Sequence, residues 1–169
     1  MLERQAAALL DGEPDALANV ANFAAFVFAE LPDVNWAGFY FADAGGDLVL
    51  GPFGGKPACT RLPGGRGVCG AAARSRSTLV VDDVRAFADH IVCDSASRSE
   101  IVVPILSGGE TVAVFDVDAP VAARFTDGDR AGIERLVAII GPAARQLAGA
   151  LASPSMNSAQ ASNGIGDAR

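Results

Sequence analysis

Residues 100–118 read EIVVPILSGGETVAVFDVD, two apolar runs separated by a pair of glycines. Side chains two apart on a strand share a face, so Ile101, Val103 and Ile105 lie together, as do Ala113, Phe115 and Val117. The opposite face of the second run passes from Val112 and Val114 to Asp116 and Asp118, and Glu100 begins the matching set on the first run. Two such runs around glycine predict an antiparallel hairpin, and its register decides which side chains meet. A three-residue loop, Gly108-Gly109-Glu110, pairs Ser107 with Thr111 and sets Glu100 opposite Asp118 and Val102 opposite Asp116. A two-residue Gly108-Gly109 turn sets Glu100 opposite Val117 instead. The first arrangement aligns both apolar sets and is preferred. It gathers carboxyl groups on one face, where each raises the others' pKa, so at least one acid is protonated near neutral pH. A cluster of that kind can hold an ammonium group and donate a proton. A solvated strand end is the plainer reading of the same pattern.

Outward from the hairpin, the periodicity gives a strand at 78–82, a short helix at 68–75 and a loop-rich segment from Pro52 to Gly70. Residues 83–99 are irregular, with room for a helical turn. Strands at 34–41 and 47–51 flank a glycine-containing turn. Leu17, Val20, Ala24, Val27 and Leu31 form one stripe of a helix that starts at Pro14-Asp15 and stops at Pro32. Thr126 or Asp127 caps a last helix that runs to about Leu151, with Ile133, Leu136, Val137, Ile140, Ala144 and Leu147 on its buried side. The order describes an α+β domain: a central antiparallel sheet with helices from both ends of the chain covering one face. Residues 1–152 are expected to form that domain. The segment 153–169, SPSMNSAQASNGIGDAR, lacks periodicity and is expected to be a disordered tail.

The chain has 169 residues, half of them hydrophobic, and a net charge of −7. A core of ordinary size is available, and an acidic surface of this kind repels nucleic-acid phosphates. A cationic or zwitterionic small ligand suits the charge better. The first fifteen residues lack a basic start and a long apolar core, and no run approaches the roughly 20 apolar residues that span a bilayer. No membrane association is expected, and the expected location is cytoplasmic. Three cysteines, Cys59, Cys69 and Cys93, are an odd number for a disulfide framework; in a reducing compartment they read as buried, catalytic or redox-sensing thiols.

Cys93 opens the loop Cys93-Asp-Ser-Ala-Ser-Arg-Ser-Glu100, whose small polar residues suit a tight turn offering backbone N–H groups. Cys69 sits at the expected start of a helix, where the dipole lowers a thiol pKa. The pattern alone does not choose between them. Cys59, beside Lys56 and Arg61, lies in a loop accessible enough for a resolving thiol. Neither cysteine spacing is of the C-x-x-C kind, and His90, the one histidine, reads as an exposed loop residue. That argues against a structural metal site. The glycines of 64–70 lack the Lys-Ser/Thr pair of a phosphate loop, which argues against a nucleotide. Trp36 and Tyr40 share a strand face with only Gly38 between them, a box for a methyl or thioether group or ordinary core packing.

The strings NWAGFY (35–40), LVLGPFGGKPACTRLPGGRGVCG (48–70), HIVCDSASRSEIVVPI (90–105) and FDVDAP (115–120) resemble the free methionine-(R)-sulfoxide reductases, a family of stand-alone GAF-domain enzymes. The resemblance covers roughly residues 10–150 and implies a single GAF domain. It implies that Cys93 attacks the sulfoxide sulfur, that Cys59 resolves the resulting sulfenic acid as a disulfide, and that Cys69 is an auxiliary thiol. Glu100, Asp116 and Asp118 match the acids that bind the amino group and assist protonation of the sulfoxide oxygen. Trp36 and Tyr40 match the pocket for the S-methyl end. The resemblance further implies no bound cofactor and thioredoxin as reductant, with NADPH acting indirectly. Two other classes fit the same fold, a non-catalytic small-molecule sensor and a thiol redox switch. The apolar terminal helices, with the family, make a homodimer an expectation.

Overall fold

In the computed structural model, which describes residues 1–153, helices α1 (Leu2–Leu10) and α2 (Ala16–Glu30) precede strands β1 (Trp36–Ala42), β2 (Leu48–Gly55) and β3 (Arg61–Leu62). Helix α3 (Gly67–Ser75) and strand β4 (Leu79–Val81) follow. Strands β5 (Ser99–Ser107) and β6 (Glu110–Ala119) and helix α4 (Asp127–Ala152) complete the order. The six strands form one sheet in the order β3-β2-β1-β6-β5-β4, with every neighbouring pair antiparallel. Both edge strands are very short, which limits the unpaired backbone that the sheet exposes. Beyond Ser153, the expected tail lies outside the described residues.

One face of the sheet carries the apolar set read from the sequence. Ala37, Phe39, Phe41, Ile101, Val103, Ile105, Ala113, Phe115 and Val117 pack against α2 and α4 through Val20, Phe23, Val27, Ile133, Val137 and Ile140. Phe23, Phe39 and Phe115 form a three-ring contact at its centre, with centroids 4.7–5.9 Å apart. Asp15 caps α2, and Thr126 caps α4 through a reciprocal bond with Asp129, each cap worth about 1 kcal/mol. Helix α1 is missing from the sequence expectation. It is held by tertiary packing: Ala6 is fully buried, and Glu3 pairs with Arg135 of α4 at 2.5 Å.

The expected hairpin forms, but its turn is shorter. Ser107 pairs with Glu110 across Gly108 and Gly109, whose φ values of 59° and 85° need residues without a Cβ penalty. A register shift between Ile105 and Leu106 then restores the pairing that aligns both apolar sets, so Glu100 still faces Asp118 and Val102 faces Asp116. Strand β2 likewise runs past its expected end at Gly51. A register shift opposite β1, between Gly38 and Tyr40, falls beside Pro52, which has no N–H to give a ladder.

Candidate active site

The second sheet face is built from rows that cross three strands. Trp36 of β1 pairs with Asp118 of β6, and Asp118 pairs with Glu100 of β5. One row along, Gly38 pairs with Asp116 and Asp116 with Val102; in the next, Tyr40 pairs with Val114. Aromatic side chains and carboxyl groups therefore lie side by side by register alone. Helix α3 lies over this face and delivers Cys69, whose Sγ is 3.4 Å from Asp116 Oδ2 and 3.8 Å from Glu100 Oε1. Glu100 and Asp116 are each only 6% exposed. Asp116 Oδ1 is buried without a hydrogen-bond partner.

The wall is aromatic. Trp36 stacks between Tyr40 and Phe53, with centroids 5.8 and 5.5 Å away. A Cβ at position 38 would come within 2.6 Å of the Trp36 ring and closer still to Phe53, so glycine is needed there. The polar ends of both rings fasten the 52–66 segment: Trp36 Nε1 donates to the Lys56 carbonyl at 3.2 Å and the Tyr40 hydroxyl to the Cys59 carbonyl at 3.0 Å. Cys59 is thereby half-buried and held, where the sequence suggested an accessible loop. Phe53 was not legible as a site residue, because the shift at Pro52 brings it onto this wall.

Cys59 and Cys93 form a disulfide, with Cα atoms 5.3 Å apart, and Cys93 lines the cavity over the acids. The loop after Cys93 folds on Asp94, whose Oδ1 accepts from the Ala96 N–H at 2.9 Å. Asn35 anchors that loop to the sheet, its Nδ2 donating to Ser97 Oγ at 3.1 Å and Asp94 Oδ2 at 3.4 Å. Lys56 Nζ approaches the same Asp94 oxygen at 3.8 Å. Asn35, Asp94 and Ser97 carry no composition or spacing signal, since their roles depend on loop closure. His90 also departs from expectation: it is half-buried, lines the cavity, and burial lowers its pKa.

The electrostatics follow from burial and crowding. Burial pushes the Asp116 carboxyl up to about 7, against hydrogen bonds from Cys69 and Glu100 that hold it down. Burial, then the charges of Asp116 and Asp118, push Glu100 well above the carboxylate range; burial and Asp116 do the same to Asp118. The Cys69 thiol moves upward too, first through burial and then through Asp116 and Glu100. The helix-start argument for a low Cys69 pKa is therefore overturned, because enclosure and two acids outweigh one turn of helix dipole. Tyr40 is raised by burial first and by Asp116 next, which keeps its hydroxyl a hydrogen-bond donor.

These shifts give a pH signature. The Asp116 pKa is higher in the fold than its ordinary 3.8, so its contribution is complete at low pH. It is lost as pH rises from about 4 to about 7, at up to about 1.4 kcal/mol per pH unit. Urea unfolding between pH 5 and 7 in buffer containing a chelator should show wild type losing stability relative to Asp116→Asn by that slope. A difference that does not vary with pH would remove the buried proton.

The sequence model of the GAF domain matches residues 10–148. The free methionine-R-sulfoxide reductase of Escherichia coli is 47% identical over 81% of this chain and 82% of its own. Protein YtsP of Bacillus subtilis is 52% identical over 76% of this chain and 80% of its own. Among solved structures, free methionine-R-sulfoxide reductase from Neisseria meningitidis in complex with its substrate superposes with a TM-score of 0.81 at 43% identity, covering 86% of this chain and 89% of that one.

Proposed function

This chain belongs to the GAF-domain family and, within it, to the free methionine-R-sulfoxide reductases, and from that premise we propose that its cavity reduces free methionine-R-sulfoxide to methionine. The observation that carries the reading is the Cys59–Cys93 disulfide set over a floor of three carboxyl groups and beside an aromatic wall. The Cys93 thiolate attacks the sulfoxide sulfur. A carboxylic acid among Glu100, Asp116 and Asp118 protonates the oxygen, without which hydroxide would be a poor leaving group. The oxygen departs as water and leaves the methionine sulfur joined to Cys93 as a sulfonium. Water then attacks the Cys93 sulfur and loses a proton, methionine leaves with the electron pair of the S–S bond, and Cys93 carries a sulfenic acid. The Cys59 thiol then attacks that sulfur, a water molecule departs, and the disulfide remains. Two thiols have been oxidised and one sulfoxide reduced.

Binding follows the same division of the cavity. The substrate's ammonium meets the acids, with the unpartnered Asp116 Oδ1 facing it, and its methyl group meets Trp36 and Tyr40. Cys69, beside two of the acids, is the auxiliary thiol. A thioredoxin-type dithiol restores Cys59 and Cys93, drawing on NADPH indirectly and with no cofactor resident in the fold. Its place of work on this reading is the cytoplasm; no helix among the described residues is long and apolar enough to cross a membrane.

The test is NADPH oxidation in a thioredoxin-coupled assay with the separated R and S diastereomers of free methionine sulfoxide. Turnover of R alone is expected. Silence with both from folded, reduced protein would overturn the reading and leave ligand sensing. In the same assay Cys59→Ser should lose thioredoxin-coupled turnover while dithiothreitol still supports methionine release. If both reductants serve it as they serve wild type, Cys59 is not the resolving thiol.

A further inference from the structure

Cys69, Glu100 and Asp116 come from three different regular elements, α3, β5 and β6, and their ligating atoms all lie within 4.8 Å of one another. We propose that these three side chains form a site for Zn2+, whose occupancy excludes the substrate's ammonium from the acids. The cysteine spacing that argues against a structural metal site speaks only to ligands close together in sequence. Here the sheet register and the seat of α3 assemble the set instead.

The sulfur–oxygen separations fit a tetrahedral ion. With Zn–S near 2.3 Å and Zn–O near 2.1 Å, a thiolate sulfur and a carboxylate oxygen sharing one zinc sit about 3.6 Å apart. The two sulfur–oxygen separations here are 3.4 and 3.8 Å and bracket that value. The donor set, one thiolate and two carboxylates, is drawn from the ligand types zinc accepts, and all three residues line the cavity. An independent observation points to a ligand. Asp116 is 94% buried by its 6% exposure, lines the cavity, and leaves Oδ1 without any partner. A dication would also relieve the crowding of buried acids, releasing to solvent the thiol proton and any proton the carboxyl groups share.

The site does not depend on the redox state of the other two cysteines. Cys59 and Cys93 are joined to each other while Cys69 remains free. Zinc can thus occupy the disulfide form as well as the reduced one. Only the inhibitory consequence rests on the reductase reading above; the binding does not.

The test uses the full chain in its disulfide form, where Cys69 is the one thiol. Cd2+, a spectroscopic stand-in for zinc, should bind with one-to-one stoichiometry and give thiolate-to-cadmium charge-transfer absorption, and Zn2+ should displace it. Cys69→Ser should abolish the absorption. The near-isosteric Asp116→Asn and Glu100→Gln should each weaken binding at least tenfold, and two such variants guard against one that fails to fold. No charge-transfer signal, or full affinity in both acid variants, would overturn the site. Zinc should also raise the apparent KM for methionine-R-sulfoxide in the reduced enzyme, reversed by chelator. Turnover without metal binding overturns the zinc site alone. Metal binding without turnover upholds the site and overturns the reductase reading.

Discussion

Cys93→Ser is expected to lose sulfoxide reduction with any reductant, by a factor on the order of 10³ or more. A hydroxyl at that position is neither ionised nor nucleophilic enough toward sulfur, and it forms no sulfenic acid for Cys59 to resolve. Excess dithiothreitol cannot rescue the variant, because the missing step precedes any role for a reductant. That separates it from Cys59→Ser, where only resolution fails. The measurement is single-turnover methionine release from reduced protein. Reduced protein is the proper comparison, because the disulfide closes a segment with a sequence separation of 34 and adds roughly 3–4 kcal/mol to the oxidised form alone on the loop-entropy account. Release within tenfold of wild type would move the nucleophile to Cys69. Against that stands the Cys69 environment: enclosed and beside two acids, its thiol is pushed upward, which leaves little thiolate to attack.

That contrast between two cysteines marks where the sequence is legible. Cys69 does begin a helix, as its neighbours suggest, but what decides its ionisation is α3 lying against β5 and β6, a relation between residues 31 and 47 positions apart. The hairpin is the opposite case. Alternation of Ile101, Val103 and Ile105 against Ala113, Phe115 and Val117 tolerates one register over most of its length, because a slip would turn every apolar side chain outward. Even so, the turn was misread by one residue. The glycine pair makes the tighter turn cheap, and the shift at Ile105–Leu106 absorbs the mismatch, a trade that alternation alone cannot reveal. Helix α1 is amphipathic but only nine residues long, buries Ala6 alone, and packs on both α2 and α4, so its place in the fold is a tertiary matter. Asn35 holds the Cys93 loop through partners 59 and 62 residues away, so only the folded chain exposes its role.

The acids make the second large prediction, because they explain why a free amino acid would be chosen over a residue in a chain. A peptide nitrogen carries no charge, so a site that commits buried carboxylates to an ammonium leaves them unpaired when a peptide enters. Asp118 sits in the middle of its row, between Trp36 of the aromatic wall and Glu100. Burial and Asp116 favour the neutral acid in the empty cavity, and an arriving ammonium favours its carboxylate; Asp118→Asn keeps the shape but cannot ionise. One charge-assisted hydrogen bond is worth about 1.5–3 kcal/mol, so kcat/KM for free methionine-R-sulfoxide should fall roughly 10- to 150-fold. For N-acetylmethionine-R-sulfoxide, which has no ammonium, the same change should cost little, and the preference for the free form should shrink by nearly the whole factor. Equal losses on both substrates would mean that Asp118 serves proton delivery or packing, and ammonium recognition would then fall to Glu100 and Asp116. The ratio of the two substrates, more than either rate, is therefore the quantity that distinguishes recognition of a free amino acid from catalysis on its sulfoxide.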